Sequence, residues 1–155
     1  MKRILIDQDK CDGCKNCTVA CMQSHREDSG SVYDLDLLDP KNEARHTICN
    51  KHEGGYIQVF CRHCAVPDCV SACMSGALKK DSESGLVLYD EERCGSCFMC
   101  VMSCPYGNIK PDKATRTKIV KCDFCSGDNE DPNCVKSCPK KAIHVEEIYA
   151  GGITI

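Results

Sequence analysis

The chain has 155 residues, of which 17 are cysteine, and its formal net charge at pH 7 is −3. The hydrophobic content of 42% counts those cysteines. Without them about 31% of the residues are apolar, well below the ~45–50% of an average domain. With no Trp, three Phe and five Tyr, side-chain packing alone gives only a thin core for this length. The composition excludes a conventional hydrophobic core and indicates a single domain held together by cysteine chemistry.

The amino terminus carries no sign of export or membrane insertion. Met1–Asp7 reads MKRILID, which lacks the roughly 7–15 apolar residues of a secretory signal. No stretch approaches the roughly 18 apolar residues of a membrane helix. We therefore predict a cytoplasmic chain without direct membrane insertion, whose reduced thiols bind metal; the alternative is transport of the folded chain on a partner that has its own signal. Because the charge is negative and no basic stripe offsets it, we do not expect nucleic acid as a partner.

The cysteines form an internal repeat of four groups of four. The groups are Cys11-x2-Cys14-x2-Cys17-x3-Cys21, Cys61-x2-Cys64-x4-Cys69-x3-Cys73, Cys94-x2-Cys97-x2-Cys100-x3-Cys104 and Cys122-x2-Cys125-x8-Cys134-x3-Cys138. Cys49 stands outside the groups, and we predict an inert thiol there, with a redox or intermolecular role as the alternative.

Short β-like runs precede the four groups, and a helical turn is predicted within each. The runs are 4–7, 57–60, 87–90 and 117–120, and returning strands begin near Leu78 and Ile143. The Ser-, Asp- and Gly-rich segment 81–85 predicts a hairpin turn. The x3 spacing predicts that Val101 and Cys104 share one face of a short helix, which Pro105 ends.

Segment 22–56 interrupts the repeat as a long insertion that is acidic and poor in apolar residues. A solvated surface loop and a docking arm or lid over a cluster are equally compatible with this composition. The sequence alone leaves both interpretations open.

The spacing of groups one and three is typical of iron–sulfur ligation. Three cysteines in C-x2-C-x2-C wrap one side of a [4Fe–4S] cube, and in the bacterial ferredoxin run C-x2-C-x2-C-x3-C-P the fourth cysteine ligates the other cluster. Groups one and three match that spacing, and group three keeps the proline. Zinc sites use paired C-x2-C knuckles instead, a pattern that group four alone resembles. A zinc-stapled interaction module is therefore the alternative to an iron–sulfur protein.

Across 4–145 the chain resembles the four-cluster electron-transfer subunits related to the iron–sulfur subunits of dimethyl sulfoxide reductase, formate dehydrogenase and formate hydrogenlyase. The resemblance implies an α+β fold of two tandem ferredoxin-like dicluster lobes with pseudo-twofold symmetry. Within one domain over 1–155, lobe one would comprise 1–30 and 112–148, lobe two 56–111, and the insertion 22–56.

The same resemblance implies four [4Fe–4S] clusters with crossed ligation, in which groups one and four share two clusters and groups two and three share two. The implied ligand sets are Cys11, Cys14, Cys17 with Cys138; Cys122, Cys125, Cys134 with Cys21; Cys61, Cys64, Cys69 with Cys104; and Cys94, Cys97, Cys100 with Cys73. Fully ligated clusters leave no iron open to substrate.

The expected function is electron transfer without catalysis, because the sequence carries no nucleotide-binding glycine pattern or paired-carboxylate signature. The segments 22–25 (MQSH), 61–64 (CRHC) and 94–107 (CGSCFMCVMSCPYG) are most similar to soluble ferredoxin-like subunits that accompany anaerobic carbon monoxide dehydrogenase. The expected partners are that catalytic subunit and an electron acceptor protein. A tungsten aldehyde oxidoreductase, a formate dehydrogenase or a hydrogenase is the alternative catalytic partner.

Several residues beside the ligands are expected to shape the environment of the clusters. His63 is predicted to hydrogen-bond near a ligand or to lie at the surface, because four thiolates already suffice. Packing around the clusters is predicted for Met99, Met102, Ile109 and Ile143. Five cations lie close to the cysteine groups in the sequence: Lys10, Lys15, Arg93, Lys118 and Lys121. We predict that they raise the reduction potentials of the clusters; the alternative is that they are solvated surface residues.

Overall fold

Short strands alternate with short helices in the computed structural model, which describes residues 2–52, 54–125 and 131–147. The strands are β1 (Lys2–Ile6), β2 (Thr47–Asn50), β3 (Tyr56–Val59), β4 (Leu78–Lys80), β5 (Val87–Tyr89), β6 (Lys110–Pro111), β7 (Ile119–Val120) and β8 (Ile143–Glu147). The helices are α1 (Asn16–Ser24), α2 (Asp68–Ser71), α3 (Met99–Ser103) and α4 (Asn133–Lys136). The predicted α+β class is confirmed.

The strands pair as two-stranded antiparallel sheets, β1 with β8, β2 with β3, β4 with β5 and β6 with β7. In the first sheet, Lys2 lies opposite Glu147 and Ile6 opposite Ile143, so the two ends of the described chain meet. The β4–β5 hairpin closes through a hydrogen bond from the Asp81 N–H to the Leu86 carbonyl, 2.9 Å, which confirms the turn predicted at 81–85.

The helices pack in two pairs, α1 against α4 and α2 against α3. α3 ends at Ser103, and Cys104 has an extended backbone with φ −76° and ψ 109°, because Pro105 disfavours helical geometry in the residue before it. The prediction that Val101 and Cys104 share a helix face is therefore wrong, since Cys104 lies one residue beyond the helix. α1 behaves differently: Met22 follows Cys21, and the helix continues to Ser24.

Among the residues that the structure describes, two small hydrophobic clusters form the core, and both contain cysteines of the repeat. The buried members of the first are Leu78, Val87, Cys100, Ile109 and Ile119. Those of the second are Cys17, Phe60, Cys134 and Ile143. Because both clusters are small, the thin core expected from the composition is observed, and each core lies directly against a set of thiols.

Part of the insertion is ordered into a strand that the sequence analysis did not predict. β2 pairs with β3, with Thr47 opposite Val59 and Cys49 opposite Ile57. Its sequence, Thr47-Ile48-Cys49-Asn50, does not alternate apolar and polar side chains, which is the pattern from which a half-buried strand is recognised.

Candidate metal centre

Three cavities are each lined by four cysteines, three from one group and the last cysteine of another. The sets are Cys11, Cys14, Cys17 and Cys138; Cys61, Cys64, Cys69 and Cys104; and Cys94, Cys97, Cys100 and Cys73. Four thiols around one enclosed space form the donor set that a tetrahedral thiolate-ligated metal or a [4Fe–4S] cube requires.

The remaining cysteines of the repeat also lie close together. Cys21, Cys122 and Cys134 are buried and Cys125 is half-buried. Burial raises the pKa of Cys122 to about 12, and the thiols of Cys61 and Cys21 push it in the same direction. Burial likewise raises the pKa of Cys134, and the thiols of Cys122, Cys21 and Cys125 add to the effect. Cys122 and Cys134 therefore carry thiolates only when a cation balances their charge, which fits a metal centre.

The first C-x2-C loop of each group has the same backbone feature, a positive φ at the second residue between the cysteines. The values are 72° at Gly13, 43° at His63, 54° at Ser96 and 65° at Phe124. This left-handed step turns each loop back sharply, and in groups one, two and three both cysteines of the pair line the same cavity. At Gly13 the constraint is doubled, because a Cβ atom there would lie 2.3 Å from the Tyr56 ring.

Backbone N–H groups donate to the last cysteine of groups two, three and four. The Leu78 N–H donates to Cys73 Sγ at 3.4 Å, the Asn108 N–H to Cys104 Sγ at 3.4 Å, and the Ala142 N–H to Cys138 Sγ at 3.3 Å. In each case the chain reverses just after the cysteine and brings the donor back. Hydrogen bonds of this kind stabilise a thiolate.

In group one, the insertion supplies this donor. Cys21 lies inside α1, so no reversal follows it, and the N–H of Arg45 donates to its Sγ at 3.3 Å. His25 Nδ1 lies 3.8 Å from the same Sγ. Burial raises the pKa of Cys21, but hydrogen bonds from His25, His46 and Arg45 outweigh it and lower the pKa to about 6. This stretch of the insertion therefore covers a predicted ligand.

Asp123 holds both of these donors in place. Its carboxylate accepts from His25 Nε2 at 3.1 Å and from Arg45 Nη1 at 2.8 Å. Burial raises the pKa of Asp123, but the His25 hydrogen bond and the Arg45 charge lower it to about 2. His25 and Asp123 are 98 positions apart, so no local motif in the sequence could have joined them.

Of the four apolar residues predicted to pack around the clusters, two are buried and two are exposed. Met99 and Met102 are 47% and 82% exposed, so the prediction that they exclude water from the clusters is wrong. The cavity beside α3 is lined by Phe98 and Cys100 and by neither methionine. Ile109 and Ile143 are buried as predicted.

His63 and Cys49 also differ in their surroundings. His63 is buried, and its Nδ1 accepts a hydrogen bond from the Val87 N–H at 2.9 Å, so the surface alternative for His63 is wrong. Cys49 is exposed in β2, where it lines none of the three cysteine cavities.

Only one of the five predicted cations is buried. Lys121 is 3% exposed, whereas the other four, Lys10, Lys15, Arg93 and Lys118, are exposed. The alternative of a solvated surface residue therefore holds for those four and is wrong for Lys121.

No helix within residues 2–52, 54–125 and 131–147 is long and apolar enough to cross a membrane.

Comparison with protein families places groups two, three and four within a known domain. A family described as a 4Fe–4S dicluster domain matches residues 53–148. The electron transport protein HydN of Escherichia coli K12 is 32% identical over 157 residues, which cover 90% of this chain and 85% of HydN. One subunit of the anaerobic dimethyl sulfoxide reductase from the same organism is also 32% identical, over 89% of this chain and 69% of that subunit.

Two further similarities extend over most of the chain. The beta subunit of the NADH-dependent phenylglyoxylate dehydrogenase of Aromatoleum evansii is 38% identical over 90% of this chain, which spans only 29% of that subunit. Among solved structures, the BamBC active-site complex of benzoyl coenzyme A reductase matches with a TM-score of 0.50 and 26% identity, over 94% of this chain and 76% of the other. The chain belongs to the 4Fe–4S dicluster domain family, and the prediction of an iron–sulfur electron-transfer protein is confirmed.

Proposed function

We propose that the chain relays single electrons through four [4Fe–4S] clusters between the catalytic subunit of an oxidoreductase and an acceptor protein. The observation that carries the proposal is that three cavities each present four cysteine side chains from two groups. The fourth site would use Cys122, Cys125, Cys134 and Cys21. The family match begins at residue 53 and includes twelve cysteines of the repeat; group one supplies the other four.

We also propose that the clusters lie in two lobes related by pseudo-twofold symmetry. The pairing of α1 with α4 and of α2 with α3 supports this arrangement. The helix starts repeat in the same way: α1 and α3 follow residues with left-handed backbone, Lys15 and Phe98, whereas α2 and α4 follow Pro67 and Pro132. Lobe one would then comprise 1–30 and 112–148, and lobe two 56–111.

The bound clusters supply the one-electron chemistry, and the chain supplies their surroundings. Its thiolates hold each site, backbone N–H groups donate to the last cysteine of each group, and the apolar residues around the cavities exclude water. Hydrogen bonding and burial of this kind set the reduction potential. With four thiolates at each site, no position is left for a substrate.

For the partner, we propose anaerobic carbon monoxide dehydrogenase, on the strength of the resemblance in segments 22–25, 61–64 and 94–107. The names of similar proteins supply alternatives, a phenylglyoxylate dehydrogenase and a dimethyl sulfoxide reductase. Co-purification from the native source discriminates between them. A carbon monoxide dehydrogenase subunit in the isolated complex supports this partner, and a different catalytic subunit overturns it.

The relay itself is tested by anaerobic reductive titration. Four one-electron clusters predict that the protein takes up about four electrons per chain and returns them to an artificial acceptor. Uptake of about two electrons contradicts the four-cluster relay, and a colourless zinc-loaded chain that takes up none supports the zinc-stapled module instead.

A further inference from the structure

Lys121 is a buried cation for which the proposed relay gives no role. Its side chain is 3% exposed, and its Nζ donates to two backbone carbonyls, that of Val87 at 2.6 Å and that of Cys122 at 2.7 Å. Both acceptors are neutral. Burying an ammonium group is costly unless an opposite charge lies nearby, so the position of Lys121 calls for a negative group in its surroundings.

The two carbonyls place the ammonium between two ligand sets. Val87 lines the cavity of Cys61, Cys64, Cys69 and Cys104, and Cys122 belongs to the fourth set. Burial raises the pKa of Cys61, and the Lys121 charge acts against that rise. The same opposition occurs at Cys69. We call this region, defined by Lys121, Val87 and Cys122, the seam.

The side chains of His63, Phe124 and Lys80 fix the seam. His63, 2% exposed, accepts from the Val87 N–H at 2.9 Å, so both backbone polar groups of Val87 are held, one by His63 and one by Lys121. The His63 ring meets the Phe124 ring edge-on at 6.1 Å between centroids. Lys80 Nζ donates to the His63 carbonyl at 2.8 Å. The ammonium of Lys121 is therefore held in one place and is not free to turn toward solvent.

Building on the proposed four-cluster function, we propose that Lys121 raises the reduction potentials of the two clusters on either side of the seam relative to the other two. One is the cluster of Cys61, Cys64, Cys69 and Cys104, and the other is that of Cys122, Cys125, Cys134 and Cys21. Reduction adds a negative charge, which a fixed nearby cation favours. Burial keeps that attraction from being screened by salt. Electrons that enter the chain would settle on this pair.

The test compares Lys121→Met, which keeps the length of the side chain and removes its charge, with Lys121→Arg, which keeps the charge. Both are studied as purified four-cluster proteins by redox titration monitored by electron paramagnetic resonance. We expect Lys121→Met to lower the electron affinity of the two clusters beside the seam at least tenfold, which is 59 mV for a one-electron couple. The reduction potentials of the other two clusters should not change. Lys121→Arg is expected to keep most of the wild-type potentials. The matched control is Lys118→Met, because Lys118 is exposed and pairs with Glu91 at the surface.

The outcomes separate this inference from the function on which it rests. If all four clusters of Lys121→Met keep their wild-type reduction potentials, the inference about Lys121 is overturned and the proposed four-cluster function still stands. Equal shifts in Lys121→Met and Lys121→Arg also overturn it, because they indicate a packing effect rather than a charge effect. If Lys121→Met does not fold, Lys121→Gln takes its place. A change in the reduction potentials of all four clusters, or only of the two clusters away from the seam, then overturns the inference. A wild-type protein with fewer than four clusters overturns the proposed function and this inference together.

Discussion

At the scale of single residues, the loops around the cavities depend on backbone conformations that most side chains disfavour. Four equivalent positions have positive φ, yet only Gly13 is glycine. At His63, Ser96 and Phe124 a left-handed L-residue costs roughly 1–2 kcal/mol, which is tolerated where surrounding contacts determine the conformation. The predicted metal sites are therefore built on strained turns, each of which lies between two cysteines of the repeat.

Gly13→Ala is predicted to be the most damaging of three glycine substitutions. The φ of Gly13 is 72°, and a Cβ atom at this position would clash with the Tyr56 ring. The substitution therefore combines backbone strain with a steric clash. Gly107→Ala has φ 61° with nothing within 4 Å, and strain alone costs about 1–2 kcal/mol. Gly95→Ala has open space and no positive φ and serves as the control. Thermal unfolding of the loaded proteins should rank them in that order. Equal melting temperatures for Gly13→Ala and Gly95→Ala would contradict this account.

Cys138→Ser is predicted to alter the site of group one rather than that of group four. Cys138 lines the same cavity as Cys11 and Cys14, because a helical turn carries it away from the cysteines that precede it in its own group. Cluster-resolved Mössbauer or paramagnetic resonance spectra of this variant should resemble those of Cys11→Ser. Cys49→Ser, an exposed thiol, is the control. Spectra that match those of Cys125→Ser would show that each group holds its own cluster.

At the scale of elements, a buried carboxylate is one of the contacts that tie the insertion to the rest of the fold. The Glu43 side chain is 6% exposed and pairs with Lys110 Nζ at 3.2 Å. Lys110 Nζ also donates to the Ala44 carbonyl at 3.0 Å. These contacts fix the chain just before Arg45, whose N–H donates to Cys21 Sγ. The insertion thus reaches from β6 to a ligand of group one.

Glu43→Gln is predicted to loosen the insertion at Arg45. Removing one partner of a buried ion pair leaves the Lys110 ammonium without its counter-charge, at a cost of about 1–3 kcal/mol. Hydrogen exchange measured by mass spectrometry should then show faster exchange in peptides covering 43–46. Glu27→Gln, an exposed carboxylate of the same insertion, should leave those rates unchanged. Unaltered exchange in Glu43→Gln would mean that β2 and the contacts of Arg45 with Asp123 and Cys21 hold the segment without this ion pair.

Local sequence patterns predicted features formed by residues close together in the sequence and missed contacts between residues far apart in the sequence. Cysteine spacing indicated the groups whose first three cysteines line one cavity in groups one, two and three, and the short apolar runs indicated β1, β3 and β5. The contact of His25 with Asp123 spans 98 positions, and the burial of Lys121 depends on the carbonyl of Val87, 34 positions away. Neither leaves a periodic signal along the chain. The exposure of Met102 was missed because residue type alone does not reveal which side of α3 faces the cavity.

At the scale of the whole molecule, metal and fold are expected to be inseparable. The two apolar cores are small, and each includes cysteines of the repeat. Without metal, buried thiols such as Cys122 and Cys134 would stay protonated, because burial raises their pKa, and the three cysteine cavities would stay unfilled. Binding of the metal centres therefore replaces much of the stabilisation that side-chain packing provides in other domains.

Removal of the metal is accordingly predicted to unfold the chain. Treatment with an iron chelator under mild oxidation should abolish both the visible absorption and the native circular dichroism. The chelator without oxidant, which leaves clusters intact, is the control. A colourless chain that retains native circular dichroism would show that the polypeptide folds without its metal centres.

The most direct test of the four-cluster account is the iron and acid-labile sulfide content of the anaerobically purified protein. Four cubane sites with four thiolates each predict about sixteen iron and about sixteen sulfide per chain. A reproducible value near eight of each, or stoichiometric zinc in place of iron, would contradict it.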